Sequence, residues 1–138
     1  MRAIKYIAIH CTATSPKATV DSIKNYWFNV KKWKSPGYHY IFEANGNIEE
    51  LLPIDKVSNG VRGHNSEIIN LSYIGGIDGN SNPKDTRTPQ QVLSMLSILL
   101  RLKEQFPDAI IQGHRDFEGV SKACPSFDVK EWLKHVKL

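Results

Sequence analysis

The sequence predicts a single layered α/β (α+β) domain, with a central mixed β-sheet of about five strands flanked by about three helices. Three observations point there. Segments with strand-like and helix-like periodicity follow one another in the order strand, helix, hairpin, strand, helix, strand, helix. Turn residues such as Ser35-Pro36-Gly37 and Asn45-Gly46 separate them. The chain has 138 residues, 41% of them hydrophobic, which suits one sizeable core and one domain over 1–138; no repeat, low-complexity segment or linker divides it.

Segment 4–10 alternates and is rich in β-branched residues, so it reads as a strand ending at His10. Residues 11–18 read as a loop. Thr19 is a candidate N-cap for a helix over 20–33, where Ile23, Tyr26, Trp27, Val30 and Trp33 fall at helical spacing. Segments 38–43 and 47–52 flank Ala44-Asn45-Gly46, whose Asn-Gly pair signals a hairpin. The stretch 53–67 looks irregular. Segment 68–74 is apolar enough for a buried strand and ends in a Gly-rich turn. Thr88-Pro89 opens a second helix, with Val92, Met95, Leu96, Leu99, Leu102 and Phe106 expected on one face. A short strand over 109–112 leads into Gly113-His114, residues 115–127 form a loop, and Asp128 can cap a last helix carrying Val129, Trp132, Leu133 and Val136.

Composition excludes some classes. No apolar run approaches the roughly 20 residues that cross a bilayer, so membrane insertion is not expected. The first residues lack the apolar segment and cleavage site of a signal peptide, which implies synthesis and folding in the cytoplasm. A net charge of +4 is mildly basic and selects neither a cell wall nor a nucleic acid. Two cysteines, Cys11 and Cys124, are too few for a disulfide framework.

The chemistry-bearing residues cluster near predicted strand ends. His10, His114 and Cys124 offer imidazole nitrogen and thiolate sulfur, both good zinc donors, and a catalytic zinc keeps three protein ligands. Spacing alone leaves open the alternative of two partly buried histidines and an inert thiol. Lys122 stands two residues before Cys124, where an ammonium could stabilise a developing oxyanion or simply be solvated. Tyr38 opens a predicted strand and could face a substrate carbonyl or the core. His64 lies on a loop and could line the site. His39 should point away from Tyr38 and His135 is expected in solvent. Cys11 should point away from His10 and be buried. Glu49 and Glu50 lie on the hairpin without a motif that makes either a general acid.

Five stretches, in order and spanning nearly the whole chain, carry a resemblance. They are Ile9-His10-Cys11-Thr12-Ala13-Thr14, Gly37-Tyr38-His39-Tyr40, Gly63-His64-Asn65 with Gly75-Gly76-Ile77-Asp78, Asp85-Thr86-Arg87-Thr88-Pro89, and Gly113-His114-Arg115-Asp116 with Lys122-Ala123-Cys124-Pro125-Ser126-Phe127-Asp128. Together they resemble the type-2 N-acetylmuramoyl-L-alanine amidases, the superfamily that includes phage lysozyme-type amidases and peptidoglycan recognition proteins. The resemblance implies a zinc ion held by His10, His114 and Cys124, and Tyr38 with Lys122 as the catalytic pair. It implies hydrolysis of the amide between the lactyl group of N-acetylmuramic acid and L-alanine of the stem peptide. Peptidoglycan is the implied partner, nucleic acid is not favoured, and a monomer is expected. The alternative is a peptidoglycan-binding module without catalysis, but such members typically lack the cysteine that Cys124 supplies here. An endolysin of phage or prophage origin, released to the wall, fits the resemblance, as does a cytoplasmic enzyme acting on wall fragments.

Two departures stand out. The family's Gly-Ala-His is replaced by Ser58-Asn59-Gly60-Val61, and its Ser-Ile-Gly by Ile68-Ile69-Asn70. Both are expected near the substrate groove, leaving the zinc chemistry intact. Arg62, His64 and Asn65 remain as candidate substrate contacts.

Overall fold

The computed structural model describes residues 2–138. Its elements are β1 (Tyr6–Cys11), α1 (Val20–Asn25), β2 (Tyr40–Phe42), β3 (Ile48–Glu50), β4 (Ile68–Tyr73), α2 (Pro89–Gln105), β5 (Ile110–Gly113) and α3 (Val129–His135). They form one five-stranded sheet in the order β3-β2-β4-β1-β5. Every neighbouring pair is parallel except the β2–β3 hairpin. The mixed sheet with three helices is thus as expected. β1 and β4 occupy the interior of the sheet, and their near-continuous apolar sequences are what strands covered on both faces require.

The two faces differ. Ile7, Ile9, Cys11, Ile69, Leu71 and Tyr73 point to one side, where Met95, Ile98, Leu99 and Leu102 of α2 and Val129 of α3 cover them. The alternate residues Ala8, His10, Asn70 and Ser72 point to the other side and are equally buried. There α1, the Tyr26–Val30 turn and the irregular stretch before β4 close over the sheet, with Val20, Ile23, Trp27 and Ile41 in one cluster and Ala8, Val61, Ile68 and Phe117 in another.

Helix starts follow the expected caps. Thr19 and Thr88 each close a capping box, with Ser22 and Gln91 respectively, and Asp128 accepts from Glu131 N–H. Gly46 takes φ +89° at the β2–β3 turn, where a Cβ would also press on Gln90. Three expectations need correction. The helix over 20–33 is α-helical only to Asn25, then widens into a π-helical turn over Tyr26–Val30. The wider turn, closed by Lys31 N–H to Tyr26 O, breaks the 3.6-residue register, so Trp27 is buried while Tyr26 and Val30 are exposed. Trp33 returns to stack on Trp27 with ring centroids 6.4 Å apart. In α2 the buried stripe is Gln91, Met95, Ile98, Leu99 and Leu102, rotated from the expected one. Gln91 is buried because its Nε2 donates to Phe42 O and Ile74 O, tying the helix start to two strand ends. Finally, β2 begins at Tyr40, so Tyr38 and His39 precede the strand rather than open it.

Candidate metal centre

The C-terminal ends of β1, β4 and β5 lie side by side at one edge of the sheet, where a layered α/β fold places its chemistry on the loops that follow. His10 is the penultimate residue of β1 and is only 1% exposed. His114 directly follows β5 and begins a short 3₁₀ turn. Its ring meets that of His10 edge-on, with centroids 4.8 Å apart. Cys124 comes from the loop beyond, drawn back by Arg115 N–H to Cys124 O at 2.9 Å. Its Sγ lies 3.9 Å from His10 Nδ1. One donor atom from each of the three residues falls within 4.8 Å of the other two.

The donor set fits zinc. Ions bound at about 2.1 Å by nitrogen and 2.3 Å by sulfur in a tetrahedron separate their donors by roughly 3.5 Å, so small side-chain adjustments complete the site. The two imidazole donors are also in the right protonation state. Burial, then the neighbouring His114, pulls the His10 pKa down to about 3. Burial, then Lys122, pulls His114 down to about 4. Both imidazoles are therefore neutral at pH 7 with lone pairs free. Cys11 and Cys124 are close enough that one ionised thiol holds the other protonated. Hydrogen bonding from Cys124 brings the Cys11 thiol down to about 7, and the same pairing holds Cys124 above its ordinary value. A cation among His10, His114 and Cys124 would reverse that preference in favour of the Cys124 thiolate, which Cys11 N–H already faces at 3.2 Å.

The group opens on a cleft of about 210 Å³, lined among others by Trp27, Trp33, Tyr38, Gly60 and Lys122. Tyr38 packs its ring 5.1 Å from that of His10 and 5.2 Å from that of Trp27. Its hydroxyl donates to Cys11 O at 3.3 Å, and burial raises its pKa far above the usual phenol value, so it remains a donor. Lys122 is exposed at the mouth of the cleft. Two further grooves share Trp33, Asn59 and Arg62 with one another; one still reaches His114 and Lys122, and the other runs out to Lys31 and Asn65.

Residues 1–127 match the family of N-acetylmuramoyl-L-alanine amidases. The chain belongs to that family. It is an N-acetylmuramoyl-L-alanine amidase that acts on peptidoglycan. Among curated proteins it is similar to an endolysin of Klebsiella phage KP32, 38% identical over 136 residues, covering 96% of this chain and 87% of that one. Among solved structures it resembles the Ph2119 endolysin from a Thermus scotoductus bacteriophage, with TM-score 0.81 and 20% identity over 98% of this chain and 85% of that one. It also resembles the N-acetylmuramoyl-L-alanine amidase LysC from Clostridium intestinale, with TM-score 0.81 and 20% identity over 99% and 87% of the two chains. At such identity the structural likeness speaks for the fold.

In this amidase five of the expected site residues, His10, Tyr38, His114, Lys122 and Cys124, line one cleft. Arg62 is exposed beside the outer grooves. Asn65 borders one of them, while its Oδ1 accepts from Gly60 N–H and Val61 N–H at 3.0 and 2.8 Å and so shapes the loop. His64 packs between Tyr6 and Phe117, and its Nδ1 pairs with Glu67 at 3.1 Å. On the hairpin, Glu49 pairs with Lys24 of α1 and Glu50 accepts from the Tyr40 hydroxyl. The sequence places Asn70 near the groove and His39 on the side away from Tyr38, and gives neither a role at the site. Both are fully buried, and Asn70 Oδ1 sits 2.8 Å from His10 Nε2. The signal was available: an amide in the run Ile68-Ile69-Asn70-Leu71 must find partners when its neighbours are buried.

Proposed function

We propose that this amidase is zinc-dependent and cuts the amide between the lactyl group of N-acetylmuramic acid and the L-alanine of the stem peptide, as a phage-type endolysin acting on the wall. The observation that carries the reading is the convergence of two neutral imidazoles and a thiol, from three distant parts of the chain, at the floor of a cleft also lined by Tyr38 and Lys122. His10, His114 and Cys124 would hold the ion. Zinc supplies Lewis acidity that activates water and polarises an amide carbonyl at neutral pH.

The chain's own residues do the rest. The Lys122 ammonium, exposed at the mouth, meets negative charge as it builds on the carbonyl oxygen, and the Tyr38 hydroxyl becomes a second donor from the wall once its single proton turns from Cys11 O to the substrate. Interactions that strengthen only as that charge develops raise kcat rather than binding. The ring faces of Trp27 and Trp33 exclude water from one side of the cleft. Arg62, with Asn65 shaping its loop, extends the groove towards the glycan or stem peptide, and His64 stiffens the same loop from behind.

The test is digestion of purified sacculi, with and without a zinc chelator. The expected products are free stem peptides with a new L-alanine amino terminus and intact glycan strands. The chelator should stop release, and added zinc should restore it. New reducing sugar ends, or new amino groups on D-alanine or diaminopimelate, would overturn the choice of bond, and chelator-resistant activity would overturn the metal.

A further inference from the structure

Asn70 stands one pleat back from His10 on the adjacent parallel strand, since Asn70 registers with Ala8 and Ser72 with His10. It is fully buried, and each of its four polar atoms has a partner. Its side chain reaches His10 Nε2 through Oδ1 at 2.8 Å and Ser58 Oγ through Nδ2 at 2.7 Å. Its backbone N–H donates to His39 Nδ1 at 2.9 Å and its carbonyl accepts from His39 N–H at 2.8 Å. Room for the carboxamide comes from Gly60, because a methyl group at residue 60 would overlap it. The two departures from the family pattern, around Gly60 and at Asn70, therefore meet in space as one packing unit.

The polarity of this network follows from its far end. Asn70 N–H can only donate, so His39 Nδ1, 2.9 Å away, is the bare nitrogen and His39 Nε2 carries the proton, which Lys56 O accepts at 2.7 Å; Arg2 Nη2, 3.3 Å from the same Nε2, is then a neighbour and not its donor. The one lone pair of His39 Nδ1 is shared between Asn70 N–H and the longer contact from Ser58 O–H, 3.2 Å away. Ser58 Oγ, its proton committed, accepts from Asn70 Nδ2. That orients the amide with Oδ1 towards His10, which must present a proton on Nε2 and a lone pair on Nδ1. Nδ1 is the nitrogen that faces Cys124 Sγ. We propose that Asn70 is the positioning residue of the metal centre: through the chain His39–Ser58–Asn70 it fixes the tautomer and ring angle of His10 so that Nδ1 meets the ion. The proposal rests on the zinc reading of His10, His114 and Cys124.

The experiment compares zinc affinity, by competition with a chromogenic chelator, the visible spectrum of the cobalt-substituted protein, and the melting midpoint of the metal-free protein. Asn70→Leu fills the space but cannot accept from His10, and should weaken zinc binding roughly 10- to 100-fold and shift the cobalt bands. Asn70→Asp restores an acceptor but not the donor to Ser58. It should bring zinc affinity back to within a few-fold of wild type even where the melting midpoint stays low. A role in packing alone predicts the opposite, with affinity unchanged in every folded variant and both substitutions judged only by stability. Wild-type affinity and an unshifted cobalt spectrum in Asn70→Leu would overturn the proposal. Should that variant not fold, Ser58→Ala decides: it leaves Asn70 in place but frees its amide to turn. A several-fold loss of affinity then supports the proposal and no loss overturns it. Wild-type protein that binds no zinc would remove the metal reading itself, and this proposal with it.

Discussion

β1 and β4 carry two different kinds of interior on their two faces. Towards α2 they present Ile7, Ile9, Ile69, Leu71 and Tyr73, packed against Met95, Ile98, Leu99 and Leu102. On the other face they present His10, Asn70 and Ser72, as deeply buried as the apolar set. Burial of the first face is non-directional, so side chains of similar volume can stand in for one another at modest cost. Burial of the second is tolerable only because its main polar atoms have partners, and those partners lie in sequence far from the strand that needs them. A period of two thus lets one strand hold the fold together with its odd residues and position the chemistry with its even ones. Substitutions on the apolar side should move stability and leave turnover per folded molecule alone, while those on the polar side should move zinc affinity and turnover as well as stability.

The sharpest contrast is between the two cysteines, which stand next to one another in space: Cys11 belongs to the apolar core of β1, while Cys124 alone joins the His10 and His114 group. Cys124→Ser should lose nearly all bound zinc and all measurable amidase activity, read by metal analysis and sacculus turbidity. Cys11→Ser should keep its zinc and lose stability instead. Equal metal content in the two variants would erase the distinction. Next come the cleft walls. Tyr38→Phe and Lys122→Ala should retain zinc and fold while kcat falls roughly 10²-fold or more; turnover near wild type in either would remove that residue from the chemistry.

On the apolar side, Leu99→Ala should cost about 2–5 kcal/mol of unfolding free energy in a denaturant titration, with kcat unchanged at temperatures where the variant is folded. A proportional loss of kcat would mean the two faces are coupled. Acid should act through the polar face. His10, His39 and His114 are held well below the ordinary 6.5, at about 3, 4 and 4, chiefly by burial. The unfolded chain therefore takes up protons that the metal-free folded protein refuses. Their contribution is complete above pH 6.5 and is lost as pH falls from there towards 4 and 3. Leu99→Ala should show the same pH slope displaced downward, and a flat profile between pH 7 and 4 would contradict the buried, neutral assignment. The smallest effect is expected at the rim: Arg62→Ala should raise KM a few-fold with little change in kcat, the signature of uniform binding, whereas a fall in kcat alone would place Arg62 in the chemistry instead.

Most of the architecture was legible in the chain itself. Alternation marks β1, the unbroken apolar run marks β4, Asn45-Gly46 marks the hairpin, and Thr19, Thr88 and Asp128 mark three helix starts, because each signal is local and arises from backbone geometry or capping. That His10, His114 and Cys124 converge was legible too, through motifs whose residue types zinc chemistry limits. What the tertiary structure decided is non-local. Hydrogen bonding five residues back, not four, turned Trp27 inward and Tyr26 outward. Packing of the loop under Tyr6 and Phe117 turned His64 into the wall of that loop. Asn70 became the partner of His10 because parallel pairing of β1 and β4 set them on one face, sixty residues apart in sequence, and because Gly60 left space for an amide. Hydrogen-bond partners recruited across such distances have no periodicity to betray them; only the register of the sheet selects which buried polar group faces which.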